Sequence, residues 1–169
     1  MDILEGKDIK LRAVEPSDAD IIYKWENDSS LWHAGNTIEP FSYQIIKQYV
    51  KNAHLDLVAT HQLRLMIDLK NDQGEPFATI GSIDLFEIDT FHQKAGVGIL
   101  IHEKKYRKKG YANQALKVMI KYAFQVLLLH QLYCNIDEDN EPSIKLFKNN
   151  GFQATGNKKD WIRTENGWK

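Results

Sequence analysis

The sequence predicts a mixed α+β domain in which a mostly antiparallel central sheet is flanked by helices. Three observations lead there. Leu63–Leu69 (LRLMIDL), Phe77–Ile88 (FATIGSIDLFEI) and Ala95–Ile101 (AGVGILI) are apolar or alternating segments parted by polar turns, the pattern of a strand meander. Ala112, Ala115, Leu116, Met119, Ala123 and Leu127 then fall at helical spacing and form one apolar face, before a short buried strand at Leu132–Ile136. Strand, helix and strand in succession make a right-handed crossover and a parallel pair. Third, a basic turn, His102-Glu103-Lys104-Lys105-Tyr106-Arg107-Lys108-Lys109-Gly110, joins the last meander strand to the helix.

The other elements follow in chain order. Ile9–Val14 alternates as a first strand, and Ser17 is expected to cap a helix that ends near Trp25 or Glu26. Residues 27–41 show no period; a loop of that length inside a compact domain is often functional, and a surface connection pinned by Trp32 and Phe41 is the alternative. Ser42 caps a second helix expected over Tyr43–Leu57, with Ile45, Ile46, Tyr49, Val50 and Ala53 on one side. Asn71-Asp72-Gln73-Gly74 is a turn, and Gly81 marks a bend or bulge within a long strand. Pro142 and Gly151 delimit a short helix. Phe152–Thr155 and Asp160–Arg163 are short strand candidates, and Thr164-Glu165-Asn166-Gly167 reads as a hairpin turn. Almost no chain is left for the returning strand. Either it has been cut, or another chain supplies it, or the turn is misread.

The length of 169 residues suits one domain over 1–169 with a substantial core. A net charge of −1 excludes a general polyanion binder, so the local Lys/Arg run acts at short range and nucleic acid is not the expected partner. Cys134 is the single cysteine, which fits a reducing compartment. No apolar run is long enough to span a bilayer, and MDILEGKDIK is not a signal peptide, so a cytoplasmic protein without membrane contact is expected. His33, His92 and His102 lack metal-ligand spacing, and no metal is expected.

The basic turn carries the first chemistry. Backbone N–H groups of a tight turn, a helix N-terminus and five cations (Lys104, Lys105, Arg107, Lys108, Lys109) gather there, which favours a phosphate. The common nucleotide loops are absent. Arg107-Lys108-Lys109-Gly110-Tyr111-Ala112 instead reads R-x-x-G-x-A, which resembles the acyl-CoA signature of the GNAT acetyltransferases. A second block, Asn140 to Phe152 (NEPSIKLFKNNGF), is similar to the family pattern N-x-x-[SA]-[IV]-x-[LI]-[YF]-x-x-x-G-F at every fixed position. Together the blocks make the resemblance cover nearly the whole chain.

The resemblance implies a sheet splayed between its fourth and fifth strands, with the pantetheine arm of acetyl-CoA in the gap. Backbone groups of Ile99, Leu100 and Ile101 would pair with that arm, and Gly98 would supply the bulge that opens the gap. N–H groups from Arg107, Lys108, Lys109, Gly110, Tyr111, Ala112 and Asn113 would hold the pyrophosphate. Asn140 and Ser143 would contact the cofactor; for Asn140 alone, a capping residue is the simpler reading. Homodimers or higher homo-oligomers are common among such relatives. Two departures stand out. Phe147 occupies the place of a tyrosine that in many members protonates the departing thiolate, leaving Ser143, Tyr133, Cys134, water or an unassisted departure. Gly96 stands where related sequences often carry Glu.

The implied reaction is direct acetyl transfer from the thioester to a primary amine, whose ammonium must first lose a proton to a base. The acids available are Glu26, Asp28, Glu39, Asp84, Glu87 and Asp89. Asp84 and Glu87 lie on one strand and by parity face opposite sides, unless a bulge shifts the register. Gly81–Ala95 resembles bacterial polyamine acetyltransferases, with acids at Asp84 and Glu87 and a histidine at His92. That suggests a small polyamine such as spermidine as acceptor. The RimJ/RimL-type enzymes, which acetylate peptide N-termini, share most of the same blocks and are the main alternative. A catalytically silent acyl-CoA or polyamine sensor is a further one, motivated by Phe147.

Overall fold

The alternating segments assemble into one five-stranded sheet in this computed structural model, which describes residues 3–32, 37–55, 57–164 and 166–169. The chain divides into two compact units, residues 1–135 and 136–169. In the first lie β1 (Ile9–Ala13), α1 (Ala19–Glu26), α2 (Tyr43–Asn52), a single turn α3 (Leu57–Thr60), β2 (Leu63–Lys70), β3 (Pro76–Asp89), β4 (Lys94–Ile101), α4 (Tyr111–Gln125) and β5 (Gln131–Tyr133). The strand order is β1-β2-β3-β4-β5. The first three pairings are antiparallel and β4 runs parallel to β5, as the meander and crossover require.

Alternation along the strands gives the sheet two apolar faces. Met66 of β2 joins Ala19, Ile22 and Trp25 of α1 and Ile46 and Val50 of α2 in one buried cluster. From the opposite side α4 packs on β1, β3 and β4 through Ala115, Leu116, Met119 and Ala123. Each large apolar side chain buried this way contributes roughly 1.5–3 kcal/mol. Gly81 is required by close approach: a Cβ there would lie 2.2 Å from the Leu100 carbonyl oxygen. The expected bulge falls beside it, since Gly81 pairs with Ile67 and Thr79 with Asp68, leaving Ile80 as the extra residue.

Several boundaries differ from expectation. Ser17 is not the helix cap; it lies in a 3-10 turn, Pro16–Asp18, and the Asp18 carboxylate takes the Glu15 N–H at 2.7 Å. Asp18 is held there by Arg12, six residues before it, which also binds the distant Asp68, so ion pairing outweighs the local hydroxyl. The second helix stops at Asn52, and Ile45 is exposed because the cluster takes Ile46 and Val50 instead. α4 ends at Gln125, before Leu127, and β5 covers Gln131–Tyr133 rather than Leu132–Ile136.

The second unit contains α5 (Glu141–Asn149) and a two-stranded hairpin, β6 (Arg163–Thr164) and β7 (Gly167–Trp168). Pro142 stands in the first turn of α5, and Gly151, with φ +89°, follows its end. Phe147 is buried and packs edge-on to Phe152 at 5.0 Å between centroids. Phe152–Thr155 form no strand. The hairpin forms with a returning strand of only two residues, and Glu165 in its turn lies outside the described residues.

Candidate active site

The basic turn folds as its glycine demands. After a 3-10 turn at Lys104–Tyr106, Lys108 takes φ +61° and Gly110 φ +84°, both left-handed, and α4 opens at Tyr111. In so tight a turn, with two left-handed residues, successive N–H groups come to one side and form a concave anion nest. Tyr111 and Ala112 begin the helix, with Asn113 behind them, and a helix's opening turn presents N–H groups to whatever stands before it. Nothing lies within 4 Å of the point where a Gly110 Cβ would be, so the concavity is open.

Arg107 departs from its expected part. Its N–H is bonded to the Lys104 carbonyl at 3.1 Å. Its guanidinium folds back, with Nε donating to the Ile101 carbonyl and Nη2 to that of His102, each at 2.8 Å. It anchors the loop to the end of β4 and leaves Lys108, Lys109, Gly110, Tyr111 and Ala112 to line the nest.

β4 has an open edge. Its parallel pairing ends at Gly96↔Tyr133, and Val97–Ile101 continue beyond it. Backbone groups alternate in direction along a strand. The Leu100 carbonyl faces Gly81 and His102 N–H bonds Ile80 on β3, so Leu100 is turned away from the open edge and Ile99 and Ile101 toward it. Leu100 is thereby corrected as a backbone partner for an added strand. Gly98 supplies no bulge; it pairs in regular register with Asp84, and the irregularity of this hairpin lies between Phe86 and Asp89.

That irregularity undoes the parity argument for the acids. Glu87 adopts φ +49°, and its carboxylate accepts a hydrogen bond from the Tyr133 hydroxyl. The Tyr133 ring stands edge-on to Phe86, 6.1 Å between centroids. Phe86 in turn lies against Gly96, where a Cβ would come within 2.3 Å of the ring. A side chain at position 96 would collide with the Phe86 ring as it stands, which fits the glycine found there. Burial, followed by the Glu87 bond and charge, pushes the Tyr133 phenol up to about 12.

Asp84 is held differently. Arg64 Nε donates to it at 2.6 Å, and Arg64 Nη1 reaches Glu26 at 2.7 Å, with the guanidinium over the Tyr49 ring. Burial raises the Asp84 pKa above the usual carboxylate range, against the pull of Arg64. Burial also works against the Arg64 charge, but Asp84, Tyr49 and Glu26 outweigh it and hold the proton firmly. Sequence reasoning missed Arg64. Its only signal was a charge within a largely apolar strand that also carries Asp68 and Lys70, and its partner became visible only with the β2–β3 register, Arg64↔Asp84.

Glu26, Thr37, Glu39, Phe41, Tyr49 and Arg64 line a cavity of about 410 Å³ beside α1 and α2. Asn27 exchanges two hydrogen bonds with the backbone of Phe41, one of the lining residues, at 2.9 and 3.1 Å. His33 lies outside the described residues. Asp28 and Asp89 are turn carboxylates: Asp28 accepts from the Ser30 N–H and hydroxyl, and Asp89 from the His92 N–H and ring. His102 stacks on Trp25 at 3.8 Å, and burial, then the charges of Arg64 and Arg107, bring its pKa down to about 3. Burial pushes the Cys134 thiol up to about 11, which makes it a poor nucleophile. In the second unit Asn140 caps α5, its Oδ1 accepting the Ser143 N–H at 3.3 Å. No group of three or more potential metal ligands occurs among the described residues.

An anion nest at the end of an open-edged strand, with carboxylates on the neighbouring strand, defines an acyl-CoA-dependent transferase. The chain belongs to the GNAT acetyltransferases: the family model described as an acetyltransferase (GNAT) domain matches residues 8–153. It is 28% identical over 153 residues to the spermidine N(1)-acetyltransferase of Escherichia coli K12, covering 88% of this chain and 74% of that one. It is 27% identical over 165 residues to the N-acetyltransferase p20 of Bacillus licheniformis, covering 98% and 90%. The fold matches the spermidine N-acetyltransferase of Vibrio cholerae, solved with CoA and spermine, at a TM-score of 0.80 and 23% identity, over 96% and 90% of the two chains. GNAT acetyltransferases use acetyl-CoA, and the nest and open edge fit a diphosphate followed by an extended amide-bearing arm. Among the described residues no helix is long and apolar enough to cross a membrane.

Proposed function

We propose that this acetyltransferase moves the acetyl group of acetyl-CoA to a primary amine of a polyamine such as spermidine. The observation that carries the acceptor class is the cavity beside α1 and α2, where the exposed carboxylate of Glu39 accompanies the rings of Phe41 and Tyr49, while Glu26 is paired with Arg64. A polyamine alternates ammonium groups with methylene stems. Carboxylates and ring faces take the former, and apolar side chains the latter. The Escherichia coli relative, a spermidine N(1)-acetyltransferase, supports the same class.

The chain's own groups divide the work. The nest of Lys108 to Ala112 holds the diphosphate, and Ile99 together with the Ile101 N–H aligns the arm along β4, the Ile101 carbonyl being taken by Arg107. Asp84 keeps Arg64 in place and is a positioning residue. Glu87, exposed and free of any cation bond among the described residues, is the base that receives the amine proton. The experiment is thiol release from acetyl-CoA with spermidine, spermine, a diamine and peptides bearing free Ser or Ala N-termini. Turnover with the polyamines is expected. Turnover with the peptides alone overturns the acceptor class and leaves the transferase.

A further inference from the structure

Acetyl transfer needs a proton at the departing sulfur, and Phe147 has none to give. We propose that Tyr133 and Glu87 form one proton route, in which Glu87 takes a proton from the attacking amine and Tyr133 passes its own to the sulfur. The inference rests on the acetyl-transfer reading above.

Geometry brings the reacting atoms to this pair. The nest lies past the C-terminal end of β4, so an arm anchored there by its diphosphate runs back along the open edge toward Gly96. Val97–Ile101 span about 16 Å at strand rise, comparable with an extended pantetheine arm. The reactive end therefore arrives at the closed end of the gap, where Tyr133 pairs with Gly96 and holds Glu87. The Phe86 ring against Gly96 fixes the Tyr133 ring from the side. Glu87 meets the phenol from a left-handed backbone, a strain on the order of 1 kcal/mol that persists where the fold imposes it.

The step balances. The ammonium loses its first proton to water, and the free amine attacks the thioester carbonyl. The second amine proton passes to the Glu87 carboxylate as the C–N bond forms. Protonated Glu87 then donates to the phenol oxygen, reversing the resting hydrogen bond and freeing the phenolic proton to turn to the sulfur as the C–S bond breaks. Glu87 ends as carboxylate, Tyr133 as phenol, and CoA leaves as the thiol.

The test pairs kinetics with a readout on the free protein. Tyr133→Phe keeps the ring against Phe86 and is expected to lower kcat about a hundredfold with the Kd for CoA unchanged by calorimetry. Glu87→Gln should do the same, and the double variant should be no slower than the slower single one, because the two act as a unit. In protein carrying ring-labelled tyrosine, the Tyr133 carbon resonance, assigned by its loss in Tyr133→Phe, should move in Glu87→Gln. Glu87 is the one charged group acting on that hydroxyl among the described residues. A Tyr133→Phe variant within threefold of the wild-type kcat, multiplicative losses in the double variant, or an unmoved resonance overturns the route alone. A wild-type protein that acetylates no amine overturns the acetyl-transfer reading and the route with it.

Discussion

Arg64 stands between two carboxylates, with Nε 2.6 Å from Asp84 and Nη1 2.7 Å from Glu26. The three groups come from β2, β3 and α1, and the guanidinium also covers the ring of Tyr49 on α2. Truncating one member leaves a buried charge without its partner, and that costs far more than the pair contributes net. Arg64→Leu is expected to lower stability by about 3 kcal/mol in urea unfolding. Adding Asp84→Leu should recover part of the loss, and a double variant less stable than the single one argues against the pairing.

His102 gives a pH signature. Its folded-state pKa, about 3, lies below its unfolded value of 6.5, so below pH 6.5 the unfolded chain binds the extra proton. Stability from this group is fully present above pH 6.5 and is lost as pH falls toward about 3, by about 1.4 kcal/mol per pH unit at most. His102→Phe keeps a ring on Trp25 and carries no proton. Its unfolding free energy should therefore be flatter than wild type across that window, and an unchanged slope would mean that the imidazole is hydrated.

Gly110 joins conformation to charge. Its φ of +84° disfavours any side chain, and its surroundings are open. Gly110→Ala should weaken CoA binding severalfold, since a left-handed alanine costs about 1 kcal/mol. Gly110→Asp adds an anion to the nest and should weaken it at least a further tenfold in calorimetric titration. Equal affinities for the two variants would remove the anion from the account.

Glu39 tests the acceptor side. Glu39→Gln is expected to raise KM for spermidine severalfold while kcat holds, the mark of lost uniform binding. Raising ionic strength should raise the wild-type KM as well, because exposed charge pairs are screened. Steady-state kinetics at two salt concentrations decides, and a salt-independent KM speaks against a cationic acceptor at this cavity.

Part of this architecture was legible because its signals are local. The three meander strands declared themselves by alternation, α4 by its apolar face, and α5 by Asn140, Pro142 and Gly151 at its ends. The R-x-x-G-x-A turn became a loop with two left-handed residues before a helix, as its glycine required. Errors fell where distant groups compete with local ones. Ser17 lost the cap to Asp18 because Arg12 binds that carboxylate from β1, and Arg107 spent its guanidinium on β4 carbonyls.

The sequence by itself determined most of the elements, their order and the glycine turn before α4, because periodicity and turn chemistry act over a few residues. Tertiary structure alone decided the partners of the acids. Arg64 meets Asp84 through the β2–β3 register, and Glu87 meets Tyr133 from within the irregularity after Phe86, where its backbone is left-handed. Register and bulge position arise from packing the whole sheet against its helices, and a shift of one residue would send each of these side chains to the other face.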